Sequence, residues 1–167
     1  MKKIIQTLMY SVFAGTLSTS SLAADIITQK NIGLQAANDI AKMSIDACRD
    51  KGYHVSAVVV DKHGNLRSAM RDDLAANPTL EIAERKANMV IMSGIATGSF
   101  REARRDIQQE LNHIDGLIVM QGGLPIRSAG TLIGAVGVSG APGGEKDEVC
   151  AAVALEKISE RLEFADE

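Results

Sequence analysis

Gln121-Gly122-Gly123-Leu124-Pro125-Ile126, followed after a short turn by Gly134-Ala135-Val136-Gly137-Val138-Ser139-Gly140, decides how this chain is read. Glycine and β-branched residues crowd together there in a pattern suited to strands. A glycine inside an apolar strand gives up packing and backbone entropy, so it marks a bulge or a place where a helix or a ligand comes close to the main chain. Around this stretch the pattern predicts strands over residues 117–121, around Ile126-Arg127 and over 131–138, with Ser128-Ala129-Gly130 turning between the last two. Upstream, residues 55–60 form a β-branched run, Asp61-Lys62-His63-Gly64-Asn65 supplies turn chemistry, and residues 66–70 return as a second strand.

Helices fill the remainder. The first is expected to open at Thr28 and end before Gly52, with Ala37, Ile40, Ala41, Ser44 and Cys48 lining its inner face. Asn77-Pro78 breaks the chain, and Thr79 caps a helix running to about Ser93 and closed by Gly94. Thr97-Gly98-Ser99 starts a charged helix over residues 100–111. Gly143-Gly144 leads into a last helix over 145–164, with Ala151, Leu155, Ile158 and Leu162 on one face. Short connections between strands make the sheet mainly antiparallel. The expected fold is a single α/β (α+β) domain: a central sheet of about five strands with helices packed on it.

Residues 1–23 read as an export signal. Lys2 and Lys3 give a positive start, an apolar run follows, and Ser21-Leu22-Ala23 is a small-residue cleavage pattern. The competing reading, a membrane anchor, is disfavoured because Gln6, Thr7, Ser11 and Gly15 interrupt a run shorter than the roughly 20 residues that span a bilayer. The domain then occupies residues 24–167. The whole chain carries 18 basic and 21 acidic residues, a net charge of −3; without Lys2 and Lys3 the balance is 16 against 21, or −5. A mildly acidic protein without a basic stripe argues against nucleic acid as partner. Export would permit Cys48 and Cys150 to pair, yet two buried thiols are an equal alternative, since their separation in space is not written in the sequence.

Four blocks resemble the HbpS-like/GlcG family, which also includes the C-terminal domain of PduO-type cobalamin adenosyltransferases. They are Val58-Val59-Val60-Asp61-Lys62-His63-Gly64-Asn65, Ile82-Ala83-Glu84-Arg85-Lys86-Ala87, Gly122-Gly123-Leu124-Pro125-Ile126 and Ile133-Gly134-Ala135-Val136-Gly137-Val138-Ser139-Gly140. The resemblance implies a sandwich about an antiparallel sheet, assembly into homo-oligomers and, for exported members, non-covalent binding of haem. It implies no single shared activity, and fold alone is a poor guide to one.

A b-type haem needs an apolar slot, a group facing the iron, and cations or N–H groups for its propionates. No Cys-x-x-Cys-His occurs, so covalent c-type attachment is excluded. His113, in Asn112-His113-Ile114-Asp115-Gly116, leads into the glycine-rich region and is the candidate iron ligand, against an exposed loop histidine as the alternative. In one related domain a histidine in the stretch matching residues 97–105 is associated with ligation, and this sequence has none there. Met120 is a second candidate beside Gln121-Gly122-Gly123, while Met89 and Met92 read as core filler. Gly122 and Gly123 would bring backbone to the cofactor. Arg101, Arg104 and Arg105 would meet the propionates from one helix face, or else form a solvated face balanced by Glu102 and Asp106. Lys86 would reach the pocket or be a surface lysine. Glu81 and Glu84 offer too few ligands for a tight cation site. No nucleophile elbow, zinc cluster or phosphate loop is present.

The leading expectation is an exported, periplasmic or secreted protein that captures, buffers or helps process haem b and its iron. An enzyme or enzyme-assisting subunit acting on a small organic acid or corrinoid is the first alternative, and a structural or sensory oligomer the second.

Overall fold

A computed structural model describes residues 27–164, and the expected leader lies outside them. The elements are α1 (Leu34–Arg49), β1 (Ser56–Asp61), β2 (Leu66–Arg71), α2 (Pro78–Ser93), α3 (Thr97–Ala103), α4 (Gln108–Leu111), β3 (Gly123–Ser128), β4 (Thr131–Ser139) and α5 (Gly144–Glu163). The strands form one antiparallel sheet in the order β2-β1-β4-β3. No described helix is long and apolar enough to cross a membrane.

Alternation along β1 builds two cores. Ala57 and Val59 face α1 and α5, joined by Ile40, Ala41, Ala151 and Ile158, whereas Val58 and Val60 face α2 with Ala83, Ala87 and Val90. All six residues of β1 are buried, which explains the apolar stretch Ala57-Val58-Val59-Val60 at its centre. β2, at the edge, keeps an exposed outer pattern.

Four strands form, not five. Residues 117–121 form no ladder, and at their centre side chains take the backbone bonds of Val119: its N–H donates to Asn112 Oδ1 at 2.7 Å and its carbonyl accepts from Gln108 Nε2 at 3.5 Å. Both edges of β4 are already taken, and β3 carries Pro125, which has no N–H to offer a further strand. The expected helix over 100–111 is also split. Arg104 leaves helical geometry (φ −127°, ψ 47°) and its guanidinium closes on Asp106 at 3.1 Å, so α3 stops and α4 begins anew. α1 starts later than Thr28 because Gly33, in extended conformation, is its N-cap.

The β3–β4 hairpin turns through Ala129 (φ 46°) and Gly130 (φ 79°), both with the positive φ that suits a two-residue turn to the twist of the strands. Asp61 organises the β1–β2 turn by accepting from the backbone N–H groups of His63 (2.8 Å) and Asn65 (3.0 Å). Burial pushes its carboxyl up, but the hydrogen bonds from Asn65 and His63 prevail and hold it below the usual range.

Cys48 and Cys150, the alternative left open by the sequence, form a disulfide between α1 and α5. Because 102 residues separate them, the bond removes a large share of the unfolded chain's freedom, about 2–5 kcal/mol by the loop-closure argument. Reduction, or the double change Cys48→Ser/Cys150→Ser, is expected to lower the melting temperature by roughly 10 °C. Thermal unfolding with and without reductant checks this; coincident curves would show that the bridge does not constrain the fold.

Candidate functional site

Helix α2 comes close to the glycine-rich strands. A methyl group at Gly137 would lie 1.9 Å from the Ala83 carbonyl oxygen, and one at Gly123 would lie 2.6 Å from the Lys86 carbonyl oxygen. At Gly122 it would meet Lys86 Nζ at 2.7 Å and Val138 O at 2.8 Å. The missing side chains therefore make room for the helix backbone and for one buried lysine.

Lys86 is neither a surface lysine nor open to a pocket. It is 1% exposed, and its ammonium donates to Val138 O and to Asp147 Oδ2, each at 2.8 Å. The other oxygen of Asp147 accepts from the Ala141 N–H at 2.9 Å. Burial pushes the Lys86 ammonium down and the Asp147 carboxyl up, in each case outweighing the attraction of the partner. Lys86, Gly122 and Gly123, expected at a cofactor slot, thus belong to a packed joint between α2, β3 and the start of α5.

Beside that joint opens a groove of about 520 Å³ lined by Gly98, Arg101, Glu102, Arg105, Gln108 and Gln121. The guanidiniums of Arg101 and Arg105 have no hydrogen bond or ion pair with any described residue. Arg104 does not join them: the helix break turns it away, and Asp106 holds it. Two unpaired guanidiniums over one concavity are suited to carboxylates, which they can grip with paired N–H donors. Sequence reasoning found the arginines but missed Gln108 and Gln121, which only the break after α3 and the unpaired 117–121 segment bring to their side.

The candidate iron ligands lie outside the groove lining. Met120 precedes Gln121 and is 43% exposed. His113 is exposed on the turn after α4, its backbone N–H bonded to Glu110 O at 3.1 Å. Its imidazole has no partner among the described residues, whereas His54 Nδ1 lies 3.4 Å from Asp72 Oδ1 and His63 Nε2 2.9 Å from Gln29 Oε1. Glu81 is paired with Arg85, and no group of three or more His, Cys, Asp or Glu among the described residues could hold a metal ion. A second cleft of about 500 Å³ is lined by Ile32, Ala36, Ile133 and Leu162, with Lys30 and Arg161 among its polar residues. It contains no His, Met or Cys, and Arg161 is already bound to Asp39 at 2.7 Å.

The family model for haem-degrading HbpS-like proteins matches residues 32–156. The chain belongs to the HbpS-like family. A double mutant of Streptomyces reticuli HbpS is 28% identical with a TM-score of 0.74, over 83% of this chain and 94% of that one. Klebsiella pneumoniae protein ORFY is 29% identical with a TM-score of 0.76, over 83% of this chain and 98% of its own. PduOC, crystallised as a haem complex, shares the fold at 22% identity and a TM-score of 0.66, over 75% of this chain and 94% of that one. No curated protein matches the chain.

Proposed function

We propose that this HbpS-like protein binds haem b non-covalently outside the cytoplasm and captures, buffers or helps to process it. The observation that carries the reading is the pair of unpartnered guanidiniums, Arg101 and Arg105, over a common groove. They would anchor the two propionates, with the exposed thioether of Met120 or imidazole of His113 available to the iron. Both cysteines are consumed by the disulfide, so no thiolate ligand is in play. The description of the family as haem-degrading supports the choice of cofactor, and a disulfide suits an oxidising compartment.

The groove walls are polar side chains, so the porphyrin faces need apolar cover from elsewhere. A second copy of the chain is the proposed source, which makes the working form a homo-oligomer. Bound haem would supply any redox chemistry, while the chain's own residues would anchor the propionates and set access to the iron.

Hemin added to the mature protein should give a shifted, saturable Soret band. Arg101→Ala/Arg105→Ala should weaken binding at least tenfold, at about 1.4 kcal/mol per decade, and His113→Ala should move the band if the imidazole ligates. Ala36→Phe, which fills the second cleft, should leave binding unchanged. A spectrum identical to free hemin would refute the proposal, and loss of binding in Ala36→Phe alone would move the site to that cleft.

A further inference from the structure

We propose that the arginine groove also takes small hydroxycarboxylates in haem-free protein. This goes beyond the haem reading, because it rests on a group that a propionate cannot satisfy. Behind the inner wall of the groove, Glu148 Oε1 accepts from Gln121 Nε2 at 3.2 Å, while Glu148 Oε2 is buried with no hydrogen-bond partner among the described residues. A buried acceptor without a donor is costly and calls for an explanation.

Gly98 and Gln121 line the groove and also border that oxygen. A methyl group at Gly98 would sit 3.0 Å from Glu148 Oε2 and 3.0 Å from Gln121 Nε2. Gly98 and the Gln121 amide therefore stand between the orphan oxygen and the groove. The oxygen is closed to solvent as it stands, so a ligand hydroxyl reaches it by displacing the Gln121 amide, and the missing side chain at Gly98 leaves the room for that. The resulting chemistry has two ends: Arg101 and Arg105, two positive charges against the one negative charge of Glu102 in the same lining, favour carboxylates, and Glu148 demands a hydrogen-bond donor while repelling a further anion. A small di-acid with a hydroxyl meets both conditions. An ionised haem propionate, having no donor, meets only the first.

L-malate and succinate differ by one hydroxyl and make the test. Calorimetric titration of haem-free protein, in a buffer without other carboxylates or phosphate, should show malate binding at least tenfold more tightly than succinate. Arg101→Ala and Arg105→Ala should each weaken both ligands at least tenfold. Gly98→Ala should bring malate down to the level of succinate, and Glu148→Gln should cut the malate advantage with little change for succinate; thermal unfolding of each variant confirms that it is folded. Equal affinities in the unaltered protein, no saturable binding of either acid, or a malate preference that survives Gly98→Ala would overturn the inference. The hemin titration is read separately: its failure with malate preference intact would remove the haem reading alone, and the reverse result would remove this one alone.

Discussion

Gly137→Val is expected to give no stably folded protein, and Gly137→Ala to lose about 3 kcal/mol or more, the upper end of what overpacking a core costs. The reason is the identity of the neighbour. A side chain could rotate away, but the atom 1.9 Å from the added methyl is the Ala83 carbonyl oxygen, with the Ala87 backbone nitrogen 2.9 Å away. Relief would require α2 to lift as a unit from β4. That would open the cluster of Val58, Val60, Ala83, Ala87, Val90 and Ala135 to water. Gly33→Ala is the control, since a methyl there meets nothing within 4 Å and its cost is limited to a weaker N-cap for α1, about 1 kcal/mol or less. Urea unfolding of the three variants checks this; a midpoint for Gly137→Ala equal to that of the unaltered protein would show that α2 does not rest on this backbone.

Removing one partner of the Lys86–Asp147 pair is the second large effect. Lys86→Met leaves the Asp147 carboxylate buried with only the Ala141 N–H for company, and Asp147→Asn leaves a buried ammonium facing Val138 O. Each change should cost about 3–5 kcal/mol, the range for an ion left uncompensated in a protein interior. The double variant Lys86→Met/Asp147→Leu should recover much of that loss, because a pair that burial penalises on both sides contributes less to net stability than either broken half removes. A double-mutant cycle by denaturant unfolding measures the coupling. Additive single losses would mean that the two groups act independently and that the buried pair is not the feature joining α2 to α5.

The legible parts of the fold were those with a local signature. Gly94 closes α2 in left-handed conformation (φ 73°), as its place after Ser93 suggested. The inner face of α1, from Ala37 to Cys48, and the β1–β2 hairpin about Asp61 follow from helical spacing and turn chemistry. Illegible features depended on distant partners. Residues 117–121 have strand-like composition but find Asn112 and Gln108 in place of a neighbouring strand. Arg104 has a helical sequence context but is drawn into a chelate with Asp106.

The same division runs through the candidate site. Arg101 and Arg105 were visible as cations at helical spacing, but their lack of partners and the convergence of Gln108 and Gln121 upon them were not. Helix and strand signals, the glycines that mark a close approach and the family are all readable along the chain, because they are carried by residues near one another in it. Folding in three dimensions settles that Gly123 and Gly137 receive α2, that Lys86 is buried against Asp147, and that Cys48 meets Cys150. Each of these joins segments far apart in the chain, 61 residues for Lys86 and Asp147 and 102 for the two cysteines, and their encounter is set by how both faces of the sheet are covered, which no local pattern encodes.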